Sequence, residues 1–125
     1  VILGARNVLR GRSHDMRLDA LSAIANGLCT ALASDYYYPS LAAAPFELVR
    51  LGMCALPTAW SLVSSGPANA AGLTDRGRLE PGMRADLVLL DMDADGHPAI
   101  TATVAGGRIV HAATPDLFGI LSRAA

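Results

Sequence analysis

Long apolar runs are absent from this sequence of 125 residues. No segment approaches the ~18 consecutive apolar residues that a membrane helix needs, and the opening residues lack the basic, apolar and small-residue pattern of a signal peptide. An excess of one charge is absent too, since the formal net charge is −1, whereas nucleic-acid-binding domains usually carry a basic surface. We therefore expect no membrane partner and no nucleic-acid partner.

Cysteine is scarce, with Cys29 and Cys54 as the two instances. Two cysteines do not make a disulfide framework, so the sequence favours the reducing cytoplasm, with a single bridge between them as the alternative. Cys29 falls inside a predicted strand, and we expect it to be an inert, buried thiol.

The composition also excludes disorder and low complexity. Hydrophobic residues make up 52% of the chain and charged residues 17%, whereas disordered chains combine low hydrophobicity with high net charge. The 12 glycines and 7 prolines stay below the level of low-complexity chains. The length suits one domain or part of a larger one, with enough chain for a sizeable core. Val1, Ile2 and Leu3 are typical of the middle of a buried strand rather than of a natural start.

The first part of the chain alternates strand and helix patterns. Residues 1–3 form a short apolar run that predicts a buried strand, and the polar segment 4–14 predicts a loop. Apolar residues recur at helical spacing over residues 18–28, where Gly27 is a candidate C-terminal cap, and residues 29–33 predict a second strand. Strand, loop, helix and strand in this order are typical of a parallel α/β unit.

Helices are predicted next. Residues 40–53 predict a helix with Phe46, Val49 and Met53 on one face, and Pro45 either opens this helix or kinks it. Two short helices follow, predicted to open at Pro57 and Pro67 and to close at Gly66 and Gly72.

The last part of the chain predicts β-structure. A turn at Pro81-Gly82 precedes a strand over residues 85–90, and a second strand covers residues 100–105. Gly106-Gly107 predicts a hairpin into a third strand at residues 108–110. A short helix is predicted over residues 116–123.

Local motifs for a complete metal or nucleotide site are absent. His14, His97 and His111 are far apart, and no HxH, HExxH or CxxC pattern, P-loop or dinucleotide fingerprint occurs. Residues 91–96 (DMDADG) match the front half of an EF-hand loop, but Ala102 stands where a bidentate glutamate belongs. We expect an acidic turn between two strands.

Polar side chains follow both predicted strands of the α/β part. The segment after the first strand carries arginine and small hydroxyl side chains that suit phosphate oxygens, and its polar residues are Arg6, Asn7, Arg10, Arg12, Ser13 and His14. The alternative is an ordinary solvated loop. Asp35 comes just after the second strand, where functional side chains gather in parallel α/β folds; the alternative is a helix cap or a turn residue.

These residues resemble a known family. GARNVLRGRSH at residues 4–14 and ASDY at residues 33–36 are similar to the phosphonate-pathway branch of the amidohydrolase superfamily, and PANAAGL at residues 67–73 and GRLEPGMRADLVL at residues 77–89 resemble the end of most amidohydrolases. The resemblance implies an α/β fold, the C-terminal part of a metal-dependent (β/α)8 barrel followed by a small β-sandwich segment. Residues 1–72 would hold the last two strand–helix units and the helices after them, residues 73–112 the sandwich segment, and residues 113–125 a tail or short helix.

The resemblance also implies roles. Asp35 would be the catalytic aspartate after the eighth strand, which touches a metal and takes a proton from the attacking water. Asn7, Arg10, Ser13 and His14 would bind a phosphorylated ribose phosphonate, from which this branch releases pyrophosphate. The cofactor would be zinc or another divalent metal in the full-length parent. The chain alone would hold none, because a catalytic zinc needs at least three protein ligands and the others would precede Val1.

Three functions stay open on these grounds. The chain is a C-terminal fragment of a phosphonate-pathway hydrolase, inactive alone; or part of an amidohydrolase of other specificity, such as a cyclic amidase or deaminase; or a non-enzymatic domain that associates with itself. Uncovered strand edges predict self-association in each case. An in-frame HxH motif upstream of Val1 would favour either enzyme.

Overall fold

The computed structural model describes residues 1–10, 20–34 and 36–123. These residues separate into two compact units, one covering Val1–Gly77 and the other beginning at Arg78. The chain is mixed α/β with one sheet of two strands and one of three, and the described part forms no closed barrel. None of its helices is long and apolar enough to cross a membrane.

The first unit is built on two parallel strands joined through helices. Its elements are, in order, β1 (Ile2–Gly4), α1 (Ala5–Arg10), α2 (Ala20–Ala25), β2 (Ala31–Ala33), α3 (Ser40–Arg50), α4 (Leu56–Ser61) and α5 (Ser65–Ala70). β1 and β2 pair with Ile2 opposite Ala31 and Gly4 opposite Ala33. The predicted strand–helix–strand order is confirmed, and Gly27, with a φ of +67°, adopts the left-handed conformation after α2 that a C-terminal cap requires.

A helix replaces part of the loop that was predicted over residues 4–14. In α1, Ala5 and Val8 lie one turn apart and are fully buried. They belong to the same apolar cluster as Leu48 of α3, and the two helices are in contact. Burial of this apolar pair outweighs the polar composition that favoured a loop, because packing of one face stabilises a short helix more than its intrinsic propensity. Residues 11–14 lie outside the described residues.

The helix predicted over residues 40–53 is α3, but it buries a different face. Its buried residues are Ser40, Ala44, Pro45 and Leu48, whereas Val49 is 39% exposed. Ala44 and Leu48 of this face belong to the same apolar cluster as Ala5 and Val8 of α1, so the contact with α1 covers it. The helix begins before Pro45, so the prediction that Pro45 opens it is wrong, and a kink there stays a prediction.

The other two residues of the predicted face have separate surroundings. Phe46 packs edge-on against Trp60 of α4, with ring centres 6.1 Å apart and an interplanar angle of 71°. Met53 follows α3 and lies half-buried against the apolar cluster. Of the three residues predicted to share one face, Phe46 and Met53 thus make apolar contacts, whereas Val49 is exposed.

Proline and glycine punctuate α4 and α5 as predicted at some positions and not at others. Pro57 lies in the first turn of α4, and Gly72 has a φ of +70° just after α5, so both predictions are confirmed. Gly66 was predicted to close α4, and this is wrong because it lies inside α5. A Cβ atom on Gly66 would collide with the carbonyl oxygen of Thr30, so glycine at this position permits a close approach of two backbones.

The second unit is an antiparallel sheet with one helix. It contains β3 (Leu87–Met92), β4 (Pro98–Ala105), β5 (Arg108–Ala112) and α6 (Pro115–Arg123), and β4 is the central strand. Gly106 and Gly107 have φ angles of +57° and +77°, as a two-residue hairpin turn requires. The predicted strands, hairpin and final helix are confirmed.

Candidate functional site

The two parallel strands of the first unit end side by side. Gly4 ends β1, Ala33 ends β2, and the two residues are partners in the strand register. The residues that follow both strands therefore start from one edge of the sheet. We call this the carboxyl edge, defined by Gly4, Ala33 and the residues directly after them. In parallel α/β folds, functional side chains gather at such an edge.

Asn7 is the candidate site residue whose side chain the structure describes. Because Ala5 and Val8 face the core, Asn7 on the opposite side of α1 is exposed. Its carboxamide lies over the end of β1, since a Cβ atom on Gly4 would be 3.5 Å from Asn7 Nδ2. A carboxamide offers two donors and an acceptor. The structure thus places Asn7 at the carboxyl edge, and its binding role stays a prediction.

The other candidate residues are only partly placed. Arg10 is the last residue of α1, and its side chain lies outside the described part of the chain. Ser13, His14 and Asp35 lie outside the described residues altogether. The proposed roles of these four residues stay predictions.

Arg6 joins the two sides of the carboxyl edge, which the sequence reasoning did not anticipate. Its guanidinium carbon lies 4.6 Å from the ring centre of Tyr36 and 5.9 Å from that of Tyr37, within the range of cation–π attraction. Arg6 Nη1 is buried, and the described structure gives it no hydrogen-bond partner. A signal was available: Arg6 follows one predicted strand closely, Tyr36 follows the next, and parallel strands end at the same edge.

The acidic turn predicted between two strands is confirmed in the second unit. Asp93 Oδ1 accepts hydrogen bonds from the backbone N–H groups of His97 (2.7 Å) and Asp95 (3.0 Å). These bonds, that from His97 above all, lower the pKa of Asp93 below its ordinary value. Ligand-type atoms of Asp93, Asp95 and His97 lie within 4.8 Å of one another, and all three residues are exposed. The Asp93 carboxylate thus serves to order the turn.

Both cysteines are free, so the alternative of a single bridge is wrong. Cys29 is buried, and its thiol donates to the carbonyl oxygen of Ala31 at 3.3 Å. Burial raises the pKa of the Cys29 thiol, so the reactive thiolate is disfavoured. The prediction of a buried thiol is confirmed, and its inertness stays a prediction.

A metal centre at the carboxyl edge is not complete within the described residues. Among the described residues, one group of three His, Cys, Asp or Glu residues is close enough to share an ion. This group is the exposed acidic turn of the second unit. A catalytic zinc needs at least three protein ligands, usually histidine, cysteine or a carboxylate, and the described residues place no such group of three at the carboxyl edge. The described residues at the carboxyl edge therefore do not fit a metal on their own.

Comparisons with known proteins agree on one family. Residues 14–111 match the Amidohydrolase family. The chain is 43% identical over 91 residues to alpha-D-ribose 1-methylphosphonate 5-triphosphate diphosphatase of Escherichia coli (strain K12), an alignment that covers 71% of this chain and 24% of that protein. It is 48% identical over 65 residues to adenine deaminase of Methylobacterium nodulans (strain LMG 21967 / CNCM I-2342 / ORS 2060), covering 52% of this chain and 11% of that protein.

The chain thus spans about a quarter of the diphosphatase (24%) and a smaller share of the deaminase (11%). The family match covers residues 14–111, so it includes most of the first unit and the sheet of the second. The chain belongs to the amidohydrolase family.

Proposed function

We propose that this chain is the C-terminal part of a metal-dependent hydrolase that releases pyrophosphate from a phosphorylated ribose phosphonate, and that it is inactive alone. The similarity to the diphosphatase, 43% identity over 71% of the chain, supports the substrate class. The small share of that protein which the chain spans, 24%, supports the status of a part. β1 and β2 would be the last two strands of the parent barrel, and the antiparallel sheet would belong to its β-sandwich.

The observation that carries the proposal is the parallel pairing of β1 with β2, with Gly4 opposite Ala33. Active sites of parallel barrels lie at the carboxyl ends of the strands. Asn7 and Arg10 belong to the helix that follows β1, and Ser13 and His14 come soon after it in the sequence. These four residues would bind the phosphate groups of the substrate, because amide, guanidinium, hydroxyl and imidazole donors suit phosphate oxygens.

Asp35 would act on the hydrolytic water rather than on the phosphates. It comes two residues after Ala33, the last residue of β2. An ionised carboxylate near a bound water takes its proton as attack begins, which is the role of a general base. Asp35 would therefore be needed for turnover more than for binding.

The cofactor of the proposed parent is zinc or another divalent metal, as is general in this family. Such a metal supplies a polarising positive charge for hydrolysis, and Asp35 would be one of its ligands. The remaining ligands would come from the part of the parent outside this chain. The two free cysteines favour the reducing cytoplasm as the compartment.

Self-association of the isolated chain is part of the same proposal. Val1 and Ile2 are 61% and 62% exposed, although they lie at the start of a strand with an apolar sequence. Exposed apolar strand residues next to an open sheet edge favour burial against another chain. A second copy of the chain would cover them in the absence of the rest of the barrel.

A deaminase is the second candidate function, and the similarity to adenine deaminase, 48% identity over 52% of the chain, favours it. The cyclic amidases and the non-enzymatic, self-associating domain complete the alternatives. The coding sequence upstream of Val1 separates them: an in-frame HxH motif there supports an enzyme, and a stop codon or unrelated sequence supports the non-enzymatic domain.

Binding and turnover measurements test the proposal on the protein expressed with the coding sequence upstream of Val1. Arg10→Ala should weaken binding of a triphosphorylated ribose phosphonate by ~1.5–3 kcal/mol, as expected for a lost charged hydrogen bond. Arg50→Ala is the matched control, because Arg50 is exposed and paired with Glu47 on α3. A protein that deaminates adenine or opens cyclic amides, and that handles the phosphonate equally well with and without Arg10, would contradict the phosphonate assignment and leave the family assignment intact.

A further inference from the structure

The side chain of Arg6 has a buried hydrogen-bond donor for which the described structure supplies no acceptor. It lies in α1 between the buried Ala5 and the exposed Asn7, and its own side chain is half-buried. The guanidinium contacts the rings of Tyr36 (4.6 Å) and Tyr37 (5.9 Å), which follow β2. The aromatic faces attract the positive charge, but they offer no oxygen atom as acceptor. The N–H groups of Arg6 Nη1 therefore have no acceptor in the described structure.

Among the arginine side chains of the first unit that the structure describes, Arg6 is the one with a buried N–H group that lacks an acceptor. Arg50 of α3 places Nη2 2.6 Å from the carboxylate of Glu47. Arg6 has no carboxylate partner among the described residues, and its Nη1 is closed off from water without an acceptor. A buried N–H group without an acceptor destabilises a structure, more so when the group is charged. An acceptor that reached Nη1 would relieve this cost.

The surroundings favour an acceptor with several negatively charged oxygens. A guanidinium presents paired N–H groups that match a phosphate or a carboxylate. Asn7 adds carboxamide donors beside the end of β1, and the tyrosines add hydroxyl groups. Phosphate has more acceptor oxygens than carboxylate, so it can receive bonds from several of these donors at once.

The two tyrosines are placed to admit such a ligand. Tyr36 is 74% exposed and Tyr37 is 49% exposed, so their rings lie on the surface and can rotate without disrupting the core. Nη1 is closed off from water, so a ligand must displace a neighbouring group to reach it. Because both rings lie against the guanidinium, a change in their environment on binding is the signature to look for.

We propose that Arg6, backed by Tyr36 and Tyr37, is a binding residue for a phosphate-type oxyanion at the carboxyl edge. The inference deepens the proposed function, on which it rests only for the assumption that the oxyanion belongs to the substrate. It adds Arg6 and the two tyrosines to the residues that select the substrate. The stacked guanidinium would select a phosphorylated substrate over an uncharged one.

The test uses the chain with its tyrosine rings labelled for NMR, titrated with inorganic pyrophosphate at constant ionic strength. The chain has 3 tyrosines, so single Tyr→Phe variants suffice to assign the ring signals. Saturable shifts of the Tyr36 and Tyr37 rings are expected. Arg6→Ala should weaken binding roughly 10- to 100-fold. Arg50→Ala, which also removes one positive charge from the first unit, should leave binding within a factor of about two.

A lysine variant and a carboxylate ligand distinguish the proposal from its alternatives. Arg6→Lys keeps the positive charge but loses the planar pair of N–H groups, so this variant should bind pyrophosphate at least about tenfold more weakly than the unmodified chain. It replaces Arg6→Ala in the test if circular dichroism shows that Arg6→Ala does not fold. Absence of saturable shifts in the unmodified chain, or equal binding with arginine and lysine, would overturn the proposal. Acetate that binds as tightly as pyrophosphate would overturn the phosphate class and point to a carboxylate as the partner. None of these readouts needs turnover, so the proposed hydrolase activity can fail while this site stands.

Discussion

Gly66→Ala should destabilise the first unit, because α5 lies directly against the backbone that leads into β2. A Cβ atom on Gly66 would collide with the carbonyl oxygen of Thr30 and lie 2.9 Å from that of Ser61. Both are backbone atoms, so no side chain can rotate away. The same region is tied to β2 by the N–H of Leu32, which donates to Leu62 O at 2.7 Å. A shift of α5 would therefore disturb the sheet.

Two effects of the substitution oppose each other. Alanine is favoured over glycine inside a helix by ~1 kcal/mol, and by less in the first turn, where Gly66 lies. Overpacking typically costs ~1–3 kcal/mol, and a clash with backbone belongs at the upper end of that range. The cost of the clash exceeds the gain in helix propensity by about 2 kcal/mol, and this loss of unfolding free energy lowers Tm by roughly 8–16 °C for a unit of this size.

Thermal and urea unfolding followed by Trp60 fluorescence measures the effect, because Trp60 is the sole tryptophan and lies in the first unit. Gly4→Ala is the matched control: its Cβ atom would make only ordinary contacts, the nearest at 3.5 Å. Its stability should stay within about 1 kcal/mol of the unmodified chain. A Gly66→Ala protein as stable as the unmodified chain would refute the close-approach argument.

Three further predictions follow from burial and from the candidate ligands. Burial raises the pKa of the Cys29 thiol, so this thiol loses its proton at a lower pH in the unfolded chain than in the folded one. The free energy of unfolding of the first unit should therefore fall as pH rises above the ordinary thiol value of 9.0. Unfolding of Cys29→Ala measured over the same pH range should not show this fall. The purified chain should retain no stoichiometric zinc; about one tightly held metal per chain by elemental analysis, lost in Asp35→Ala, would contradict this. Light scattering at micromolar concentration should show self-association that Ile2→Lys reduces, and a compact monomer would count against it.

The fold could be predicted where local signals and packing agree. Gly106-Gly107 determines the hairpin between β4 and β5 by backbone conformation alone, since both positions have positive φ. The strands β1 and β2 are short apolar runs, and the helical spacing between them requires a parallel crossover. These features depend on residues close in sequence.

The errors arise where a distant partner decides. α1 was predicted as a loop from its arginines, but Ala5 and Val8 fold it as a helix because α3 covers them. Gly66 was assigned to a helix end, whereas a glycine is needed at this position because the carbonyl group of Thr30, distant in sequence, lies against it. Such contacts leave no periodic signal in the residues themselves.

The candidate site was predictable in its position and less so in its composition. Two strands that run parallel bring the residues after Gly4 and Ala33 to one edge, and the polar segments could be identified from that rule alone. The stacking of Arg6 on Tyr36 depends on the orientation of α1, which the loop prediction had obscured. The position of Arg6 after the first strand was visible in the sequence, but its contact with Tyr36 depends on the packing of the helix.

Turnover and binding of Asp35→Asn test the central claim, that the carboxyl edge of β1 and β2 is part of a hydrolytic active site. The measurement uses the protein expressed with the coding sequence upstream of Val1 and a triphosphorylated ribose phosphonate as substrate. The account predicts a loss of kcat of about 100-fold or more, as expected when a general base is removed, with the Kd for the substrate changed little. Unchanged kcat in Asp35→Asn, or a loss of binding that accounts for the whole loss of activity, would contradict it.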